Sequence, residues 1–246
     1  MRALITGASY GLGLDLAKVF LNHGYKLLLI ARSKDRLLSI KKELDKDDSI
    51  DIFPCDLTIN PKEIAEELTK KYDDIEVVIN NAGIGLSGDI LSHNIEDEAR
   101  LIDLNIKALT IFTITFGNHF KKKDKGSILN ISSVGSMMPG KYMASYYASK
   151  SYVSSLSYSI SLELKKTNIN IIAFNLPRMN TEFDLHSNRS GNLKKGVSPI
   201  KIANKIYKYR YKRGIKNIGT SVKLTNLLSH ILPKGLFAHF IGDKLR

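Results

Sequence analysis

The sequence predicts an α/β fold, a doubly wound parallel sheet with helices on both faces, in three α/β/α layers and a single domain. Two observations carry that prediction. Short apolar runs suited to buried strands recur along the 246 residues, and the longer segments between them space their apolar residues by three and four. Parallel neighbours need crossover connections, so alternation of the two patterns implies helices packed on a sheet from both sides. The length fits one large domain at least as well as two small ones, and residues 1–246 are read as one unit. An apolar content of 43% with 25% charged residues excludes disordered and fibrous classes.

Taken in order, strands are expected at Ala3 to Thr6, Lys26 to Ala31, Ile50 to Pro54, Ile75 to Asn80, Ser127 to Ser132 and Ile169 to Leu176. Helices are expected at Leu12 to Leu21, Leu37 to Leu44, Ile64 to Lys71, Ile95 to Phe120 and Ser145 to Lys165. The run Lys121 to Lys125 reads as a solvated turn. After Leu176 the alternation lapses, and residues 178–216 are read as a substrate loop and helix, because long loops in compact domains usually serve function. Within it, Ser198 as N-cap and Pro199 at the first helical position open a helix to Tyr211. Residues 222–245 read as an amphipathic tail of two short helices broken at Pro233.

No run approaches the roughly 20 apolar residues of a membrane-spanning helix, and the first strand begins at once, leaving no room for a signal peptide. A cytoplasmic location is the expectation. The single cysteine, Cys55, is read as a core-filling residue, and the histidines His93, His119, His186, His230 and His239 show no metal-ligand spacing. The formal charge of +13 is concentrated late in the chain: no Asp or Glu lies between Asp184 and Asp243, where twelve Lys and Arg fall. Such asymmetry suits solvated surface, an acidic partner, an anionic membrane surface or a nucleic acid.

Between the first strand and the first helix stands Thr6-Gly7-Ala8-Ser9-Tyr10-Gly11-Leu12-Gly13. Glycines here let the backbone approach a phosphate closely, and the helix aims free N–H groups and the positive end of its dipole at that anion. A strand before and a helix after are the context this motif requires. The second strand ends at Ala31-Arg32 and carries no carboxylate there. An acidic residue at that place would bind a ribose 2′-hydroxyl; Arg32, with Ser33, Lys34 and Arg36 behind it, suits a 2′-phosphate, favouring NADP(H) over NAD(H). In Tyr146-Tyr147-Ala148-Ser149-Lys150, Tyr146 and Lys150 share a helix face four residues apart. An ammonium beside a phenol favours phenolate and brings proton exchange closer to neutral pH.

At these residues the chain resembles the short-chain dehydrogenase/reductase family, built on a Rossmann sheet. The glycine loop matches T-G-x-x-x-G-x-G, Asn80-Asn81-Ala82-Gly83 matches N-N-A-G after the fourth strand, and Tyr146 to Lys150 matches Y-x-x-x-K. Asn105 lies where the family carries its asparagine, and Ser133 stands thirteen residues before Tyr146. The resemblance implies Tyr146 as proton donor and acceptor, with Ser133 bonded to the substrate oxygen. It implies Lys150 on the nicotinamide ribose and Asn105 ordering water for a proton relay. It implies dinucleotide contacts from Gly7, Ser9, Tyr10, Gly11, Leu12, Gly13, Asp56, Leu57, Asn81, Ala82, Gly83, Tyr146, Lys150, Pro177 and Thr181, with Asp56 at the adenine. Tyr147 lacks the i+4 lysine, and Ser132 points to the opposite face of its strand.

One position departs from the family pattern. Aligned on Thr181, Pro177 replaces a glycine, fixing φ in the loop beside the nicotinamide. The loop from Met179 to Val197 names no substrate, though Phe183, Leu185, Leu193 and Val197 suit an apolar pocket. The basic flank suits an anionic or carrier-bound carbonyl or alcohol, such as a phosphopantetheine thioester. The tail suits packing on its own domain, a dimer or tetramer interface, or peripheral membrane contact, with no transmembrane segment. The expected function is hydride transfer between NADP(H) and a small carbonyl or alcohol. The alternatives are a catalytically silent NADPH-binding regulatory protein and, with no recognised module to support it, a nucleic-acid binder.

Overall fold

The computed structural model describes residues 1–179, 183 and 196–231. Thr181, Leu185, Leu193 and the tail after Ile231 lie outside the described residues. Seven parallel strands form one sheet in the order β3-β2-β1-β4-β5-β6-β7. They are β1 Arg2–Thr6, β2 Lys26–Ala31, β3 Ile50–Pro54, β4 Ile75–Asn80, β5 Gly126–Ser133, β6 Ile169–Leu176 and β7 Gly214–Asn217. The order reverses between β1 and β4, so a crevice opens there at the carboxyl ends of the strands, where doubly wound sheets bind ligands.

Alternation within the strands divides the core in two. Ala3, Ile5, Leu27, Leu29, Ile172 and Phe174 face α1 (Gly11–Asn22) and α7 (Pro199–Lys208). Leu4, Leu28, Ile30, Val78, Ile128 and Ile171 face α3 (Pro61–Lys71) and α5 (Leu109–Lys123) on the other side. A strand covered on both faces buries its side chains in both directions, which is why these segments read as predominantly apolar runs. Each fully buried large side chain, such as Phe20 or Phe116, contributes about 1.5–3 kcal/mol. Where β1 enters the sheet, Arg2 is buried and held by Asp51 and Asp74.

Four local features differ from the sequence expectation. The helix expected over Ile95 to Phe120 is α4 (Ile95–Ile102) and α5 joined by a six-residue π-helical segment, Asp103–Ala108. Its wider turn is a feature found often at functional sites, and it contains Asn105. The charged run after Phe120 is not free turn: α5 continues to Lys123, whose ammonium meets Asp73 at 2.6 Å, while Lys125 meets Glu76 at 2.9 Å. Helix α7 stops at Lys208 rather than Tyr211, because the chain must turn back to pair β7 with β6. That seventh strand was not expected. The helix expected at the start of the tail is α8, Thr220–Ile231.

Candidate active site

The glycine loop is fixed by contacts that only its residue types permit. Gly7 and Gly11 have φ of +65° and +53°, a region costly for side chains. A Cβ on Gly13 would overlap the Gly7 carbonyl oxygen, so the first turn of α1 folds back onto the loop only with glycine there. From β4, Asn81 Nδ2 donates to the carbonyls of Thr6 and Gly7 at 3.0 and 3.1 Å. The Thr6 hydroxyl accepts from the backbone N–H of Asn81 and of Ala82, both at 3.0 Å. The two sequence motifs are thus one structure, laced across the β1/β4 switch point.

Tyr10, the N-cap of α1, makes no side-chain capping bond, so the cap leaves the first-turn N–H groups to a ligand. A cradle that a Cβ would fill, at the positive end of a helix, fits the pyrophosphate of a dinucleotide. Past β2, Arg32 is exposed, whereas Arg36 is committed: its Nε donates to the Ser9 carbonyl at 3.2 Å and its guanidinium lies 5.1 Å from the Tyr10 ring centre. Ser33 caps α2 (Lys34–Leu44) by accepting from the Arg36 N–H. Asp56 accepts from the Thr58 N–H and hydroxyl at 3.0 and 2.8 Å and pairs with Arg100; partial burial raises its pKa, but these partners outweigh it and lower the carboxylate below its ordinary value. Leu57 is buried beside it and Cys55 next to that, the thiol pushed up to about 12 by burial.

Across the crevice, α6 (Ala144–Glu163) is fastened to β5 by buried polar groups. Ser132 donates to the Lys150 carbonyl at 3.0 Å, and Lys150 Nζ donates to the Ile131 carbonyl at 3.0 Å. That ammonium stands 5.7 Å from the Tyr146 ring centre, and burial pushes its pKa down to about 8. Asn105, presented by the π segment, accepts from the Ile84 N–H at 2.9 Å and donates to the Ile84 carbonyl at 2.8 Å and the Ser149 hydroxyl at 3.1 Å. Ser149 donates in turn to the Tyr146 carbonyl at 2.7 Å. A Cβ on Gly83 would lie 3.1 Å from Asn105 Oδ1 and 3.4 Å from Lys150 Nζ. Asn105, Lys150 and the N-N-A-G turn therefore meet at one point, below Tyr146.

Ser133 sits at the end of β5 and accepts from the Gly135 N–H at 3.1 Å. Ser132 faces the other way into the core, and Tyr147 is buried against Met138 and Met143. Beside Tyr146, Phe183 lies at 5.4 Å between ring centres, and its ring fits against the Gly85 backbone because glycine has no Cβ; a Cβ there would come within 2.9 Å of the ring. Pro177 is buried, with Gly219 packed on its ring.

Sequence reasoning missed what holds this wall in place. Asn80 donates to Asn130 at 2.8 Å and Asn130 to Ser157 at 2.9 Å. Asn175 accepts from Ser136 and Ser154 at 3.0 and 2.8 Å and donates to Asn217 at 3.0 Å. The one available signal was an asparagine in the carboxyl-terminal half of each of three strands, β4, β5 and β6. Among the described residues no three His, Cys, Asp or Glu side chains are grouped to hold a metal, and no helix is long and apolar enough to cross a membrane.

Comparison with known proteins agrees with this geometry. A fatty acyl-CoA reductase of Acinetobacter baylyi is 32% identical over 184 residues, 73% of this chain and 62% of the reductase, so the chain spans less than two thirds of that relative. An uncharacterised oxidoreductase of Staphylococcus haemolyticus is 30% identical over 207 residues, 83% of this chain and 88% of that one. A short-chain dehydrogenase from Sphingobium yanoikuyae, solved in complex with NADPH, superposes with a TM-score of 0.84 at 27% identity, covering 96% and 95% of the two chains. The family model for short chain dehydrogenases matches residues 1–191. The chain belongs to the short-chain dehydrogenase/reductase family of nicotinamide-dependent oxidoreductases.

Proposed function

We propose that this protein is an NADPH-preferring carbonyl reductase or alcohol dehydrogenase with Tyr146 as its general acid and base. The observation that carries the reading is the buried Lys150 ammonium, held 5.7 Å from the Tyr146 ring by a single backbone carbonyl and adjoining Asn105. A positive charge so placed stabilises the phenolate left when Tyr146 gives its proton to the substrate oxygen. Ser133, at the strand end opposite, donates its hydroxyl proton to the same oxygen. Asn105 orders the water through which Lys150 and Tyr146 recover a proton from solvent.

When bound, the dinucleotide supplies or accepts the hydride at the carbonyl carbon. Gly7, Ser9, Tyr10, Gly11, Leu12 and Gly13 would hold its pyrophosphate, with Asn81, Ala82 and Gly83 along its length and Asp56 and Leu57 near the adenine. Pro177 and Thr181 would flank the nicotinamide. Arg32, exposed at the end of β2 with the exposed Lys34 two residues on, could pair with a 2′-phosphate, which supports NADPH over NADH. For substrate, Phe183 and Met143 beside Tyr146 favour an apolar carbonyl compound, and the basic region 178–216 suits an anionic carrier on it. Exposed Ile114 on α5 with Tyr158 and Leu162 on α6 supports a homo-oligomer.

The test is a fluorescence titration with NADPH and NADH, followed by carbonyl reduction with wild type and Tyr146→Phe. Tighter binding of NADPH, lost in Arg32→Glu, and a fall in kcat of about 10²–10⁴ in Tyr146→Phe are expected. Full turnover in Tyr146→Phe would remove the mechanism. Binding without turnover of any carbonyl would favour a regulatory NADPH-binding role.

A further inference from the structure

Helix α8 leaves most of its large apolar side chains outside the domain. It meets its own domain through the fully buried Val222 and through Leu228, which packs with Met138, Met143 and Tyr147. At 3.6 residues per turn, the half-buried Thr225, Asn226 and Ser229 share that inward side. The outward side carries Leu224, Leu227 and Ile231, exposed to 56%, 57% and 67%. An ordinary surface helix does the opposite, turning its apolar stripe inward. Three large apolar side chains in line at spacings of three and four, on one exposed face, call for an apolar partner.

Charge decides which partner. Lys223 and His230 border the stripe and are exposed. Helix α8 itself carries Lys223 and no Asp or Glu, so no side chain of this helix repels an anion. A second copy seated on this face through its own α8 would bring another Lys223 and no acidic group to meet it. A sheet of anionic lipid satisfies both halves of the face: its acyl boundary takes the leucines, and its phosphates meet the flanking cations.

We propose that α8 is an interfacial helix that docks this protein on an anionic bilayer surface, with Leu224, Leu227 and Ile231 inserted and Lys223 at the headgroups. Because Leu228 on the inner side of α8 packs in the cluster that Tyr146 adjoins, docking brings the candidate active site to the lipid surface. The consequence for substrate, that an apolar carbonyl compound is taken from the membrane, rests on the catalytic reading above; the docking itself does not.

The experiment is co-sedimentation of the full chain with vesicles of phosphatidylcholine alone and of phosphatidylcholine mixed with phosphatidylglycerol, with the melting temperature followed in parallel. Binding to the mixed vesicles only, weakened at about 1 M salt where the Debye length falls to about 3 Å, is expected. Leu224→Gln/Leu227→Gln/Ile231→Gln should bind roughly tenfold or more weakly with an unchanged melting temperature, because the three side chains are already in water. Lys223→Glu alone should weaken binding without touching the apolar stripe. Absence of binding to mixed vesicles, equal binding to neutral ones, or undiminished binding of the triple variant would each overturn the proposal. So would self-association of the wild type that the triple variant abolishes while neither binds vesicles. Vesicle binding is read without turnover, so its failure is separate from failure of the catalytic reading.

Discussion

The two walls of the crevice are built on different physics. On the β1 side, the glycine loop is set by steric exclusion: Gly13 fits because nothing larger can stand against the Gly7 carbonyl, and Asn81 then ties the backbone down. On the β5 side, Tyr146 and Lys150 are set by a buried lattice of Ser and Asn side chains running from Asn80 through Asn130 and Ser157, and from Ser132 through Ser154 to Asn175. A steric device tolerates no substitution at one atom. A hydrogen-bond lattice spreads its demands over many residues, and losing one member leaves the others unpaired in a low dielectric.

The sharpest division between the walls should appear in Lys150→Met. Turnover should fall by about 10²–10⁴, since the variant loses the charge beside Tyr146. Stability of the cofactor-free protein should not fall. The pKa of Lys150 is lowered by burial to about 8, below its unfolded value near 10.4, so between these two values the unfolded state binds more protons and wild-type stability rises with pH. Below pH 8 the buried charge is fully present and costs stability, up to about 3 kcal/mol if the whole shift is realised. The methionine variant lacks that cost. Its melting temperature should therefore exceed that of wild type most at pH 7, and the gap should close as pH rises from 8 to 10. A gap constant with pH would mean that Lys150 is solvated in the free protein.

Asn175→Leu should test the lattice itself. The side chain is of similar size, but Ser136, Ser154 and Asn217 each lose a bond to it; Ser154 keeps its bond to Ser132, and Ser136 and Asn217 are half-buried. A loss of about 1–2 kcal/mol in urea unfolding is expected, from roughly 1 kcal/mol for each of the two partners left without this bond, less where water reaches them. On the other wall, Gly13→Ala should cost about 1–3 kcal/mol through overpacking, and NADPH affinity should fall with it because the loop itself must move. In Asn175→Leu the glycine loop is untouched, so the folded fraction should bind NADPH with an affinity near that of wild type. If both variants lose cofactor affinity equally, the two walls are one mechanical unit and the contrast fails.

The same contrast explains what was legible in the sequence. Six of the seven strands could be read because burial on both faces favours predominantly apolar runs. The seventh, Gly214–Asn217, is an edge of four residues with Ile215 40% exposed, and edge position releases it from that preference. The glycine loop and the Tyr146 to Lys150 spacing were legible because each is a local rule about neighbours in the chain. The lattice was not: Ser and Asn are the residues of turns and caps, and only tertiary contact converts Asn80, Asn130 and Asn175 into core. Nor does the sequence mark the π segment, since the extra residue in its turn leaves the apolar spacing of Leu101, Ala108 and Phe112 within helical range. Helix α8 was read as amphipathic, but periodicity gives the existence of an apolar face and not the direction in which it points.

The smallest effect concerns Arg36, and it distinguishes the two arginines that the sequence grouped in one basic pocket. Arg36 spends its Nε on the Ser9 carbonyl and its plane on the Tyr10 ring, so it braces the glycine loop from outside. Arg32 is exposed and stands at the end of β2. If the loop is held sterically, the brace is secondary: Arg36→Met should cost under about 1 kcal/mol of stability, the value of one part-exposed hydrogen bond, and raise the KM for both dinucleotides by the same small factor. The ratio of kcat/KM for NADPH over NADH should stay within about twofold of wild type, since a uniform change in loop order acts equally on the two cofactors. Arg32→Glu, in contrast, removes a charge partner from one cofactor only and should invert that ratio. An inverted ratio in Arg36→Met instead would mean that the guanidinium leaves Ser9 to meet the 2′-phosphate, and that the loop is braced by hydrogen bonds after all.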